Sequence, residues 1–145
     1  MDHQHFMREV AGTLRCDEAR ADALTFVVFQ ELRDRLTSKE REDVAAQLPR
    51  RLKQLWEEGT DPDRPVSGVD REEFVGRVRQ RAQLPDDEEA ERAVVAVFAA
   101  LQRVLGSPSG GTEGEAWDVF SQLPKGLKTL WLSAAERVRE WSAPG

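Results

Sequence analysis

The chain has 145 residues, of which 39% are hydrophobic and 33% are charged, and its formal net charge is −6. This balance is typical of globular proteins, and a chain of this length can bury a sizeable core without a disulfide or a metal. The acidic balance disfavours nucleic acid as a partner, because DNA-binding domains gain most of their affinity from a basic surface.

The N-terminal segment has neither the basic start nor the apolar stretch of a signal peptide. No apolar run approaches the roughly 20 residues that span a bilayer. A single cysteine, Cys16, excludes an intramolecular disulfide and favours a reducing compartment. We therefore expect a cytoplasmic protein without membrane contact.

Four helices are predicted in the first 58 residues. The first presents a stripe with a spacing of four, namely Phe6, Val10 and Leu14. The second follows a candidate cap at Asp17 and has the seam Leu24, Val28, Leu32 and Leu36. A third, polar helix begins at Thr37, with Glu40 at capping-box spacing, and a fourth begins at Pro49.

Breaker residues then end the first unit. Gly59 and the segment from Thr60 to Pro65, which contains two prolines, are typical of a loop. We predict helical repeat one over residues 1–58, a linker over residues 59–70, and helical repeat two over residues 71–145.

The second unit shows the same order of elements. Its first helix carries Phe74, Val78 and Ala82, and its second carries Ala90, Val94, Val97, Leu101 and Leu105. Asp86 and Glu89 have capping-box spacing before the second helix. An insertion at residues 107–111 is predicted to be a mobile loop. The last helix is predicted to run from Pro124 past Trp131, because no helix breaker occurs before Pro144.

The two units match most closely in one ten-residue segment. Residues 47–56 and residues 122–131 are identical at seven of ten positions, including Gln-Leu-Pro at the start and Leu-Trp at the end. Upstream, Phe6 matches Phe74, and Phe29 matches Phe98. The sequence therefore predicts an all-α protein, a compact bundle of about eight helices from two tandem four-helix repeats that face each other with a pseudo-twofold relation.

No catalytic or metal-binding pattern stands out. His3 and His5 are the only histidines, too few for a zinc site together with one thiol, and we expect them in a frayed terminus. Cys16 has no histidine placed by the sequence to activate it. We predict no metal, no cofactor and no enzymatic activity.

The repeated motif and one tryptophan are the candidates for a partner surface. Arg50 and Lys53, and their counterparts Lys125 and Lys128, are three residues apart and can present two cationic patches to an acidic partner. The alternative is structural, with the lysine stems shielding the core edge. Trp141 is the best aromatic candidate for a partner contact, although packing against its own helices also explains it.

Three function hypotheses follow. The first is a non-enzymatic interaction module that binds a protein partner or a second copy of itself through a helical face. The second is binding of a small apolar ligand between the two repeats, in a space lined by Met7, Phe26 and Phe98. The third, and the weakest, is an enzyme that uses carboxylates such as Glu42 or Glu115.

With the duplicated motif in view, the chain resembles the bacterial family known as domain of unknown function 2267. The resemblance is carried by the stripe that starts at Phe6, by the Ala-rich second helix, and by Gln47-Leu48-Pro49 with its second copy Gln122-Leu123-Pro124. It extends from about Phe6 to Trp131. It implies a helical two-repeat fold and supplies no activity, ligand or catalytic residue.

Overall fold

The computed structural model describes residues 3–58, 70–105, 123 and 125–142. This part of the chain contains seven α-helices and no strand: α1 (His3–Leu14), α2 (Glu18–Arg33), α3 (Ser38–Gln47), α4 (Arg50–Glu57), α5 (Arg71–Ala82), α6 (Asp87–Leu105) and α7 (Lys125–Ser142). The all-α prediction is confirmed. Outside the described ranges lie residues 59–69 of the predicted linker, the insertion at residues 107–111 and the expected eighth helix.

Side-chain caps define four of the helix starts. Asp17, Thr37 and Asp86 each accept a hydrogen bond from the backbone N–H three residues later, at 2.7, 3.2 and 2.8 Å, as predicted. Asp70 caps α5 in the same way, at 2.9 Å. Pro49 immediately precedes α4, which begins one residue later than predicted and has no side-chain cap.

The ends of α1 and α5 have the same backbone geometry. Arg15 and Gln83 occupy the left-handed region, with φ values of 56° and 55°. In both turns the residue that follows donates its backbone N–H to the carbonyl five residues earlier, at 3.0 Å. This six-to-one bond satisfies a carbonyl that the helix end would otherwise leave unpaired. The two residues also correspond under the offset that relates Phe6 to Phe74.

Two groups of three aromatic side chains anchor the interior. The first trio is Phe6, Phe29 and Trp56. The Phe29 ring centroid lies 6.0 Å from that of Phe6 and 5.2 Å from that of Trp56. The second trio is Phe74, Phe98 and Trp131. The Phe98 ring centroid lies 6.0 Å from that of Phe74 and 5.0 Å from that of Trp131. Tilted and edge-on rings at such distances are favourable because the positive ring edge meets the negative ring face.

The core is continuous across the two halves of the chain. α6 packs against α5 and α7 and also against α1, α2 and α3 of the first half. One cluster of buried side chains includes members of all seven helices. Met7 and Phe98, predicted to line a ligand cavity, are buried in this cluster, and Phe26 packs partly buried against it. The predicted seam of α2 is buried throughout, and Leu36 lies in the turn that follows the helix.

Charged side chains are buried at the end of α2, next to α5. Glu31 and Arg35 have fully buried side chains, with 3.9 Å between Arg35 Nη1 and Glu31 Oε1. Arg81 of α5 approaches the other Glu31 oxygen at 3.4 Å. The Arg35 guanidinium also lies 5.0 Å from the centre of the Phe74 ring. Burial lowers the pKa of Arg35, and the nearby carboxylates of Glu31 and Asp34 partly oppose that effect.

We predict that removing one member of this pair is far more harmful than removing both. Glu31→Ala leaves the buried Arg35 charge with Asp34, 4.0 Å away, as its remaining carboxylate neighbour, and is expected to lower the free energy of unfolding by about 3 kcal/mol. The double variant Glu31→Leu/Arg35→Met removes both charges and is expected to regain most of that loss. Urea unfolding followed by circular dichroism measures both. A double variant as unstable as Glu31→Ala would contradict the pairing.

Candidate functional site

An open cleft lies between α1, α2 and the start of α4. Its volume is about 830 Å³. It is lined by His3, Gln4, Met7, Glu18, Ala19, Asp22, Pro49, Arg50 and Arg51. We call this space the first cleft. Each of its walls belongs to a helix that the core holds in place, so its shape is set by the fold.

The walls of the first cleft carry opposite charges. α4 contributes Arg50 and Arg51, which are exposed and make no ion pair within the described part of the chain. α2 contributes Glu18 and Asp22, and Asp22 lies 3.4 Å from Nε2 of His3. Met7, Ala19 and Pro49 provide apolar surface between the two walls.

The start of α4 adds to the positive wall. Its first intrahelical bond runs from the Lys53 N–H to the Pro49 carbonyl, at 2.8 Å. Because no side chain caps this helix, the backbone N–H groups of its first turn keep their hydrogen-bonding capacity. The positive end of the helix dipole therefore reinforces Arg50 and Arg51.

A second cleft occupies the corresponding place in the other half. It is lined by Arg71, Glu72, Val75, Asp87, Glu88 and Glu91. Under the offsets that relate Phe6 to Phe74 and Phe29 to Phe98, these six positions match six lining residues of the first cleft, namely His3, Gln4, Met7, Glu18, Ala19 and Asp22. The second cleft has a volume of only about 240 Å³.

Arginines from two helices bind a carboxylate that lines the second cleft. Arg71 Nε donates to Glu91 Oε1 at 3.0 Å, and Arg137 of α7 donates to the other Glu91 oxygen at 3.1 Å. Partial burial alone would raise the pKa of Glu91, but the hydrogen bonds and charges of both arginines outweigh it, so the pKa is lowered. The Glu91 side chain is 24% exposed, against 45% for the matching Asp22.

A glycine lies where the starts of α5 and α7 meet, beside the second cleft. A methyl group placed on Gly126 would lie 3.0 Å from Cβ of Arg71 and 3.4 Å from its backbone nitrogen. A side chain at position 126 would therefore require the start of α5 to shift by a few tenths of an ångström. The matching residue of the first half is Arg51, whose side chain cannot fit such a contact and instead lines the first cleft.

Trp141 is half-buried. It packs against the edge of the core, and its ring lies 4.8 Å from the guanidinium carbon of Arg92 and 5.4 Å from that of Arg137. Such contacts are cation–π interactions. The structure therefore places this candidate beside the second cleft, in contact with the same Arg137 that binds Glu91. Trp117 lies outside the described residues.

The four basic candidates have different surroundings. Arg50 lines the first cleft, and Lys53 is exposed one turn further along α4. Lys128 is half-buried and engaged in an interaction. Lys125 begins α7, and its side chain belongs to the part of the chain that is not described. The first cleft is lined by Arg50 and Arg51, and Lys53 is exposed on the same helix without lining it. The predicted partner surface at Arg50 and Lys53 stays a prediction.

The remaining candidates stay apart from one another. Glu42 is exposed on α3, and Glu115 falls outside the described ranges. Burial raises the pKa of the Cys16 thiol, and the neighbouring Asp17 adds to the effect, so little thiolate forms at neutral pH. Across the described residues, no group of three or more potential metal ligands occurs. Among the helices described, none has the length and apolar character needed to cross a bilayer.

Sequence reasoning missed most residues of the first cleft. His3, expected in a frayed terminus, instead lies in α1 and pairs with Asp22. A usable signal existed, because the offset between the units matches His3 with Arg71 and Asp22 with Glu91, which are residues of the same polar character. The difference between Arg51 and Gly126 is visible in the motif, but the close contact of Gly126 with Arg71 is not.

Comparison with known families gives one result. The family model described as "Uncharacterized conserved protein (DUF2267)" matches residues 3–130, and it matches again over residues 76–144. A search among curated proteins finds no match.

Alanine substitutions at three glycines test the contact that narrows the second cleft. Gly12 and Gly76 lie within helices, and no atom lies within 4 Å of the place where a Cβ would stand, so Gly12→Ala and Gly76→Ala should each stabilise the protein by about 0.5–1 kcal/mol. Gly126→Ala should be less stable than Gly76→Ala by about 1–2 kcal/mol, because Arg71 must move. Urea unfolding provides the comparison. Equal stabilisation at all three positions would contradict the proposed constraint.

Proposed function

The chain belongs to the DUF2267 family, and we propose that it is a non-enzymatic protein-binding module whose first cleft holds an acidic, partly apolar segment of a partner protein. The observation that carries the proposal is the contrast between the two clefts. At matching positions, the second is narrowed by Arg71, Arg137 and the close approach at Gly126, whereas the first stays open at about 830 Å³.

Charge complementarity selects an acidic segment. Arg50 and Arg51 lack ion-pair partners among the described residues. They are the first two residues of α4, which has no side-chain cap. A guanidinium binds a carboxylate through two parallel hydrogen bonds, and a nearby helix N-terminus favours negative charge. An aspartate or glutamate of the partner would therefore satisfy groups that the described part of this chain leaves without an ion pair.

The other surfaces of the cleft define the rest of the segment. Met7, Ala19 and Pro49 favour one apolar side chain next to the acidic residue. The opposite wall carries Glu18 and Asp22. These carboxylates repel a segment bound in the opposite orientation, with its acidic residue next to α2 instead of α4. Such repulsion contributes to specificity because it penalises the wrong orientation.

We also propose that the chain arose by duplication of one helical unit. Support comes from the ten-residue match, the two aromatic trios, the identical helix ends at Arg15 and Gln83, and the second family match over residues 76–144. On this view one of two equivalent clefts kept its opening, while the other was narrowed by Gly126 and the longer last helix. A bacterial cytoplasm remains the predicted location.

Selection from a random peptide library tests the proposed function. Displayed 12-residue peptides would be selected against the full-length chain, and their dissociation constants measured by calorimetry. We expect enriched peptides to combine an acidic with an apolar residue. Arg50→Glu/Arg51→Glu should weaken their binding at least tenfold, because each charged hydrogen bond contributes about 1.5–3 kcal/mol.

A matched control separates the cleft from overall charge. Lys39→Glu/Lys53→Glu makes the same change in net charge on exposed positions that do not line the first cleft, and should change the dissociation constant less than twofold. Circular dichroism checks that each variant folds. Peptides without acidic residues, or equal losses in both double variants, would contradict the proposal.

A further inference from the structure

A second basic site lies at the junction of the two halves, away from both clefts. It is a groove of about 450 Å³ between α1, α6 and α7. It is lined by Arg8, Glu9, Gly12, Thr13, Arg103, Val138 and Arg139. An adjoining space of about 390 Å³ shares three of these residues and adds His5. We call the two together the junction groove.

We propose that the junction groove binds a small phosphate-bearing metabolite. Three helices each contribute one arginine, namely Arg8, Arg103 and Arg139. Arginine forks match the oxygens of a phosphate through paired hydrogen bonds. The chain as a whole has a net charge of −6, yet the described lining of this groove, with three arginines and one carboxylate, is locally positive.

Glu9, the carboxylate among the described lining residues, does not cancel this charge. Glu9 forms an ion pair with Arg103, so these two groups neutralise each other. Arg8 and Arg139 are exposed and have no ion-pair partner in the ranges that the structure describes. Two positive charges therefore remain available, and Arg103 keeps further N–H donors beside them.

The shape of the groove favours a small ligand. On α1, residues 5, 8, 9, 12 and 13 form one stripe, because they are three or four positions apart. Gly12 leaves open space in the middle of that stripe, since no atom lies within 4 Å of the place a side chain would begin. The Thr13 hydroxyl is a further donor. The volumes are those of a pocket for a small metabolite, and the acidic remainder of the chain repels a long nucleic acid.

This proposal is independent of the first cleft, and pyrophosphate is a suitable probe. Calorimetry on the full-length chain, at constant ionic strength, should detect saturable binding of pyrophosphate. Arg8→Glu/Arg139→Glu should weaken it at least tenfold. The control Lys39→Glu/Lys53→Glu, with the same change of net charge at exposed positions that line neither the junction groove nor the first cleft, should alter it less than twofold. If the reversal impairs folding, Arg8→Gln/Arg139→Gln should still weaken binding about threefold to tenfold, from the lost charged hydrogen bonds.

Other outcomes would overturn the proposal. The absence of saturable binding would do so, as would equal losses in Arg8→Glu/Arg139→Glu and Lys39→Glu/Lys53→Glu, which would indicate attraction by bulk charge. A tenfold loss in Arg50→Glu/Arg51→Glu with no loss in Arg8→Glu/Arg139→Glu would place the pyrophosphate in the first cleft. A single-stranded oligonucleotide or a phosphopeptide that displaced pyrophosphate and bound more than tenfold tighter would identify a macromolecular ligand instead of a metabolite. Chemical-shift changes confined to α1, α6 and α7 would support the proposal directly.

Discussion

The burial of α6 on all sides is the constraint on which the rest of the structure depends. Every residue from Ala93 to Leu101 is buried, and a helix that is apolar all round must be enclosed by others. Its neighbours come from both halves of the chain. Phe98 of this helix contacts both other rings of the second trio. Helices α1, α2 and α3 of the first half also pack against α6. The halves consequently share one core.

Within this shared core, small differences at matching positions produce different surfaces. Arg51 lines the first cleft, whereas the matching Gly126 lies against Arg71 at the start of α5. The 18 residues of α7, against eight for α4, also carry Arg137 to the Glu91 carboxylate. If one unit was duplicated, as we propose, the fold retained both aromatic trios while only one cleft stayed open for a partner.

Much of the fold could be predicted from the sequence because local rules determine it. Spacings of three and four identified the buried stripes, and the caps at Asp17, Thr37 and Asp86 marked helix starts. Burial of Glu31 and Arg35 could not be predicted, because charged residues in a helix are usually solvated and only the approach of α5 encloses these two. The clefts depend on distances between helices, which periodicity does not encode. The sequence therefore identifies Arg50 as a candidate but does not predict the first cleft that Arg50 and Arg51 line.

Unfolding of two single-tryptophan variants tests the shared core most directly. One variant keeps only Trp56, in the first trio, and the other keeps only Trp131, in the second; phenylalanine replaces the remaining tryptophans. In each variant, urea unfolding would be followed by tryptophan fluorescence and by circular dichroism. A shared core predicts that, within each variant, fluorescence and circular dichroism change in one transition with the same urea midpoint. If either tryptophan reported a transition separate from the loss of helix, the halves would unfold independently and the account would be wrong.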